Sequence, residues 1–316
     1  MTQPTYPLPD TMTKPFTPSL VKSAYEGPLT YTPFSAAKAN RDPEFLVRNI
    51  LPRRGLTVCW GQPKSGKSFL IFDLVMSVAR GVPYRGRETE QGPVVYVSCE
   101  GQEGFLKRIE GYREHHKLTE VNDLPFYLVP HAVNISRNAD ELIEALEAWD
   151  LKPSVVVIDT LARSLEGDEN TSQAIKEYVD ALQRVEERFE CSTVVVHHSG
   201  HDSTRMRGST NLPGSLVAEI AVTKNSDGST AEIREMKDGE SGELLGFQLQ
   251  SVSLGLDNKG HEIKTCVVVE AELNTAATRL KNPSVRGCLE ALRNMIAEGA
   301  GDLLPSDSRG PSDAVG

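Results

Sequence analysis

Eight consecutive residues, Gly61-Gln62-Pro63-Lys64-Ser65-Gly66-Lys67-Ser68, match the pattern G-x-x-x-x-G-K-[ST]. In such a turn the backbone N–H groups, and those of the helix it opens, point at phosphate oxygens. A lysine in the place of Lys67 reaches the β- and γ-phosphates, and a hydroxyl in the place of Ser68 ligates Mg²⁺. The candidate nucleotide-binding set is therefore Gly61, Gln62, Pro63, Lys64, Ser65, Gly66, Lys67 and Ser68, with the adjoining Phe69. Lys64 is expected to stand in solvent. The ligand chemistry is that of a nucleoside triphosphate with its metal, ATP and Mg²⁺.

Further along the chain, Val155-Val156-Val157-Ile158-Asp159 is a buried-strand run that ends in an acid. An aspartate at the carboxyl end of a parallel strand stands where open α/β sheets bind ligands. Asp159 is expected to orient Mg²⁺ opposite Ser68; the competing role is to cap the next turn through Thr160. Hydrolysis also needs a base, or a group that orients water, near the γ-phosphate. Thr160 follows Asp159, so no second carboxylate adjoins it there. Glu100 ends the run Val94-Val95-Tyr96-Val97-Ser98-Cys99-Glu100 and is the candidate base, with helix capping as the alternative.

A fourth run, Val194-Val195-Val196-His197-His198-Ser199-Gly200, brings two histidines to a strand end. Polar groups there can distinguish ATP from ADP and pass the difference to the next loop; His198 is taken as that sensor. The His pair lacks the carboxylate or cysteine that would complete a metal site. The following loop, residues 200–210, carries Arg205 and Arg207 among Gly, Ser and Thr. Such arginines suit phosphate contacts, either to a DNA backbone or to the ATP of a neighbouring subunit as an arginine finger.

These residues need a scaffold, and the hydrophobic pattern supplies one. Strands are expected at Leu56–Trp60, Val94–Ser98, Phe126–Val129, Val155–Ile158 and Thr193–His197. Helices are expected at Phe69–Arg80, Gly104–His116, Ala139–Trp149 and Ser172–Phe189. Near-continuous Val/Ile runs that alternate with helices indicate a parallel sheet covered on both faces, an α/β fold. Phe45–Leu51 reads as a short amphipathic turn. Beyond Pro213 four β-like runs, Leu216–Thr223, Thr230–Met236, Leu244–Ser253 and Ile263–Ala271, read as hairpins that extend the sheet.

The flanks differ in texture. Residues 1–42 hold seven of the chain's 19 prolines and are expected to form an extended or disordered arm. Residues 43–273 are expected to form the ATPase domain, and 274–316 a helix, Val285–Glu298, with a disordered tail. The 316 residues contain no apolar run long enough for a membrane span and no signal-peptide start, so a cytoplasmic chain is expected. Its five cysteines, Cys59, Cys99, Cys191, Cys266 and Cys288, form no close pair and read as core residues. A net charge of −10 argues against one broad basic face for nucleic acid, though not against a grip by a few loops.

The ordered set G-Q-P-K-S-G-K-S, V-S-C-E-G, V-V-V-I-D-T-L-A-R-S, V-V-V-H-H-S-G and R-M-R-G-S-T resembles the RecA-like ATPases of the plasmid RepA-type hexameric replicative helicase group, relatives of DnaB and KaiC. The resemblance covers roughly residues 45–272. It implies a RecA-like core, a homo-oligomeric ring with ATP between subunits, and single-stranded DNA in a central channel, with replication or recombination proteins as further partners. It also implies a finger in trans near Glu235-Met236-Lys237-Asp238-Gly239, where DnaB-like enzymes carry K-x-R-N-G. Lys237 then takes the arginine position, which leaves Arg207 and Lys237 as rival fingers. A RecA/Rad51-like recombination or repair ATPase and a KaiC-like switch acting on protein partners are the alternatives.

Overall fold

The computed structural model describes residues 45–118, 124–200, 205–209, 211–237 and 239–273, together with Phe34 and Ala37. The chain divides into two units, Met1–Asp42 and Pro43–Gly316. In the first, the Ala37 amide donates to the Phe34 carbonyl. The arm, the expected helix Val285–Glu298, its tail and Cys288 otherwise lie outside the described residues.

The second unit is built on a mixed sheet. Its strands are β3 (Gly55–Gly61), β4 (Val94–Ser98), β5 (Phe126–Val129), β6 (Val155–Asp159), β7 (Ser192–His198), β8 (Ala218–Asn225), β9 (Gly228–Met236), β10 (Glu243–Leu256) and β11 (Glu262–Glu270). Their order across the sheet is β11-β10-β9-β8-β3-β7-β6-β4-β5. From β5 to β8 every neighbouring pair is parallel, and β9, β10 and β11 extend the sheet antiparallel. This is the expected α/β architecture, a mostly parallel sheet with C-terminal hairpins.

The Val/Ile runs form central strands because both of their faces are covered. In β6, Val155 and Val157 pack into the cluster that holds α1 (Lys67–Arg80) and α2 (Gln102–His116), while Val156 and Ile158 face α3 (Ile135–Ala148) and α5 (Ser172–Phe189). Side chains alternate along a strand, so an uninterrupted apolar run serves both layers. Each Val or Ile buried this way contributes about 1.5–3 kcal/mol. Helix α5 buries Ala174, Ile175, Tyr178, Ala181, Leu182 and Val185, an i, i+3, i+4 stripe, and Thr171 caps its start by accepting from the Ala174 amide. A one-turn helix, α4 (Leu161–Ser164), follows β6 directly.

Two expectations shift. Phe45–Leu51 is a miniature hairpin, β1 (Phe45–Val47) against β2 (Leu51–Pro52), because Asn49 takes a positive φ of 57° and turns the chain back. Helix α3 starts at Ile135 rather than Ala139, since the Asn134 side chain accepts from the Arg137 amide and caps it earlier. Among the described residues no helix is long and apolar enough to cross a membrane. Cys59, Cys99, Cys191 and Cys266 are free thiols, the first three buried.

Candidate nucleotide site at the carboxyl edge of the sheet

The parallel order brings the ends of four strands side by side. Gly61 of β3 pairs with His198 of β7, Val196 of β7 with Asp159 of β6, and Asp159 with Ser98 of β4. Residues far apart in sequence therefore line one edge, and Glu100 follows two residues beyond Ser98. The backbone ties them further: the Ser199 amide donates to the Gly61 carbonyl at 3.0 Å, and that of Cys99 to Asp159 at 2.7 Å.

The phosphate turn is shaped by what packs behind it. A Cβ on Gly61 would lie 2.1 Å from the Val222 carbonyl oxygen, so only glycine fits beside β8. Gly66 has φ +93°, caps α1, and backs onto the Phe247 ring. The Ser229 hydroxyl donates to the Ser65 carbonyl at 3.0 Å, so the β8–β9 turn braces the same loop. Lys64 is exposed, as expected. Lys67 is 5% exposed and its Nζ donates to the carbonyls of Gly61 and Gln62 at 3.0 and 2.9 Å. Burial lowers its pKa, and the nearby carboxylates of Asp159 and Glu100 pull the other way.

Asp159 is 6% exposed. Burial raises its carboxyl above the usual range, while hydrogen bonds from Tyr96 and Ser68 hold it down. The two residues expected to share a metal, Ser68 and Asp159, are thus in contact. Glu100 accepts from the Thr160 hydroxyl at 3.1 Å and pairs with Arg163 of α4 at 3.5 Å. The His198 ring is half-buried, and burial together with Lys67 lowers its pKa, so the imidazole is neutral near pH 7. His198 therefore stands within electrostatic range of both Lys67 and Glu100.

The loop after β7 folds back on that strand. Ser199 bridges Met206, the Arg207 amide donates to the His198 carbonyl at 3.1 Å, and His197 Nε2 bonds the Arg207 carbonyl at 2.8 Å. A carbonyl only accepts, so that nitrogen carries the proton. The Arg207 guanidinium pairs with Glu169, whose own carbonyl accepts from the Ser209 amide at 2.9 Å. Residues 201–204 and 210 of this loop lie outside the described residues. Lys237 is elsewhere. It directly follows β9, which runs antiparallel to β8, and its amide donates to the Val217 carbonyl at 2.9 Å, beside Leu56 at the start of β3. It stands at the opposite end of the sheet from Gly61 and lines a cavity of about 780 Å³ with Arg54 and Glu186.

The donor set fits a magnesium-bound triphosphate. An amide-rich turn, a buried ammonium, a hydroxyl beside a buried carboxylate and an exposed glutamate held by Thr160 and Arg163 converge on one edge. Ser65 Oγ and His198 Nδ1 are also buried there with no hydrogen-bond partner among the described residues. The AAA domain family matches residues 27–204 of this chain, more than half of its length. The chain belongs to the AAA domain family. This AAA domain is a P-loop ATPase with an α/β fold. No curated protein matches its sequence. Among solved structures it is similar to the crystal structure of the RadB recombinase, at 18% identity and a TM-score of 0.45, over 62% of this chain and 87% of that one.

Sequence reasoning missed several residues of this edge. Tyr96, Thr160, Arg163 and Glu169 each touch a group singled out above, and Arg108 stacks over Phe69 at 4.3 Å with its charge reaching Asp159. For Thr160 and Arg163 the signal was present, because both lie within five residues of Asp159.

Proposed function

We propose that this AAA domain hydrolyses ATP with Mg²⁺ in a homo-oligomeric ring and drives a DNA helicase or translocase of plasmid or phage replication. Lys67 would neutralise the β/γ-phosphates, and Ser68 and Asp159 would hold Mg²⁺, which would offset charge developing on the γ-phosphate. Glu100 takes the proton of the attacking water, and His198 senses whether the γ-phosphate is present. The observation that carries the reading is the placement of Glu100 beside β6, bonded to Thr160 and within range of Lys67 and His198. A carboxylate so placed can act on water at the γ-phosphate.

Support for a motor comes from the loop of Arg205 and Arg207, whose backbone is bonded to His197 and His198. A change sensed at His198 would reach Arg207 through its amide bond to the His198 carbonyl, with His197 holding the Arg207 carbonyl. The rival fingers also separate by position. Arg207 belongs to its own subunit's nucleotide edge and serves in cis or on nucleic acid. Lys237, at the far end of the sheet, reaches only a nucleotide bound to another copy.

The net charge of −10 favours the rival reading, a KaiC-like switch acting on protein partners. ATP turnover with and without single-stranded DNA, with Lys67→Ala as the blank, decides between them. Stimulation by DNA that is absent in the blank supports the motor, and electron microscopy of the complex then tells a closed ring from a recombinase filament. Turnover indifferent to DNA and RNA overturns the motor in favour of the switch.

A further inference from the structure

Tyr96 occupies the middle of β4 and is 0% exposed. Its ring belongs to an aromatic cluster: it meets Phe105 at 4.4 Å, Phe126 at 6.2 Å and Phe72 edge-on at 6.4 Å between centroids. A phenylalanine would satisfy every one of those contacts, so packing does not explain the hydroxyl. The hydroxyl crosses to the neighbouring strand and donates to Asp159 Oδ2 at 2.8 Å. The register makes this possible. Ser98 lies opposite Asp159, so Tyr96 lies opposite Val157 on the same face, and the length of a phenol spans the two residues to the carboxylate.

We infer that Tyr96 is a positioning residue that fixes the Asp159 carboxylate for the divalent cation. The inference rests on the Mg²⁺-dependent reading above. An isolated carboxylate at a strand end rotates about its terminal torsion, which is broad and roughly two-fold. With Oδ2 held by Tyr96, the plane of the group is set, and Ser68 is the other hydroxyl that bonds it. Tyr96 stands on the strand that leads to Glu100, so one strand would both aim the metal-orienting acid and deliver the base. Partners of this kind, one bond removed from the metal, tune its affinity by about 10–100-fold where they have been substituted in metal sites.

The test is Tyr96→Phe, read as Mn²⁺ binding by electron paramagnetic resonance in the presence of adenylyl imidodiphosphate. The ring is kept, so the aromatic cluster stays filled, and thermal unfolding followed by circular dichroism checks that it has. The expected result is Mn²⁺ binding weakened about tenfold, with nucleotide binding in EDTA unchanged. In an Asp159→Ala background, where the acceptor is gone, Tyr96→Phe should weaken Mn²⁺ no further. Wild-type Mn²⁺ affinity in Tyr96→Phe, or the same loss in the Asp159→Ala background, would overturn the inference alone. Failure of the wild-type protein to take up Mn²⁺ with the nucleotide would overturn the metal reading beneath it.

Discussion

The two ends of one sheet handle polar groups in different ways. At the carboxyl end, Asp159, Glu100, Lys67 and His198 come from four different segments; Asp159 and Lys67 are buried, His198 is half-buried, and Glu100 stands exposed beside them. Their partners are neighbouring strands: Tyr96 for Asp159, Thr160 for Glu100, the Gly61 and Gln62 carbonyls for Lys67. At the amino end most of the charges stand in solvent, the half-buried Glu186 apart. Lys237 is exposed, and Arg54 pairs with Glu190 at 3.1 Å with both side chains more than half accessible. Exposed pairs of that sort are worth about 0–1 kcal/mol. The parallel order itself makes the difference, since it gathers strand ends, a helix start and short loops at the carboxyl edge alone.

Substitutions at the two ends should therefore differ in kind. The largest effect is expected for Lys67→Ala at the carboxyl end. Losing the buried ammonium should cut turnover by a factor on the order of 10²–10³ or more and weaken nucleotide binding, both measurable in a steady-state assay with a titration. Under the proposed function, the amino end enters catalysis only through a second copy. Lys237→Ala should lower turnover by about 10–10³-fold, the scale of one transition-state donor or less. Mixing it with Glu100→Gln should restore activity at interfaces that join an intact site to an intact Lys237, up to about a quarter of wild type for random mixing. Arg207→Ala mixed with Glu100→Gln should show no such rescue if Arg207 serves in cis. Rescue by Arg207→Ala and none by Lys237→Ala would reverse the assignment of the two ends.

The smallest effect concerns stability. Glu186 at the amino end bonds Thr193, yet burial and the neighbouring Glu187 raise its pKa to about 7. A carboxyl with a raised folded pKa contributes its stability below the unfolded value of 4.5, and that contribution is lost as pH rises through 7. Glu186→Gln should therefore stabilise the protein at pH 8 by roughly 1–2 kcal/mol, allowing for partial solvent access. The gain should vanish below about pH 4.5. A constant difference between pH 4.5 and pH 8 in thermal melts would contradict that account.

Much of this edge could be read from sequence because each of its strands announces itself. Asp159 and Glu100 terminate runs of Val and Ile, and the phosphate turn joins such a run to a helix. The residues that escaped notice depend on which strands lie side by side. Tyr96 reads as an aromatic filler until β4 is seen to neighbour β6, and Glu169 reads as a loop acid until the chain beyond β7 folds back to it. The placement of Lys237 was equally hidden. Its distance from Gly61 follows from β9 running antiparallel to β8, which no local pattern encodes. The hairpin at Phe45–Pro52 escaped because its two strands are too short for their alternation to register.

The central claim is that the carboxyl edge hydrolyses ATP with Glu100 acting on water, and Glu100→Gln tests it most directly. The two quantities to measure are the affinity for ATP and the rate of a single turnover. The account predicts an affinity within about twofold of wild type and a rate lower by about 10²–10⁴-fold, the contribution of a positioned general base. Unchanged turnover in Glu100→Gln would contradict it.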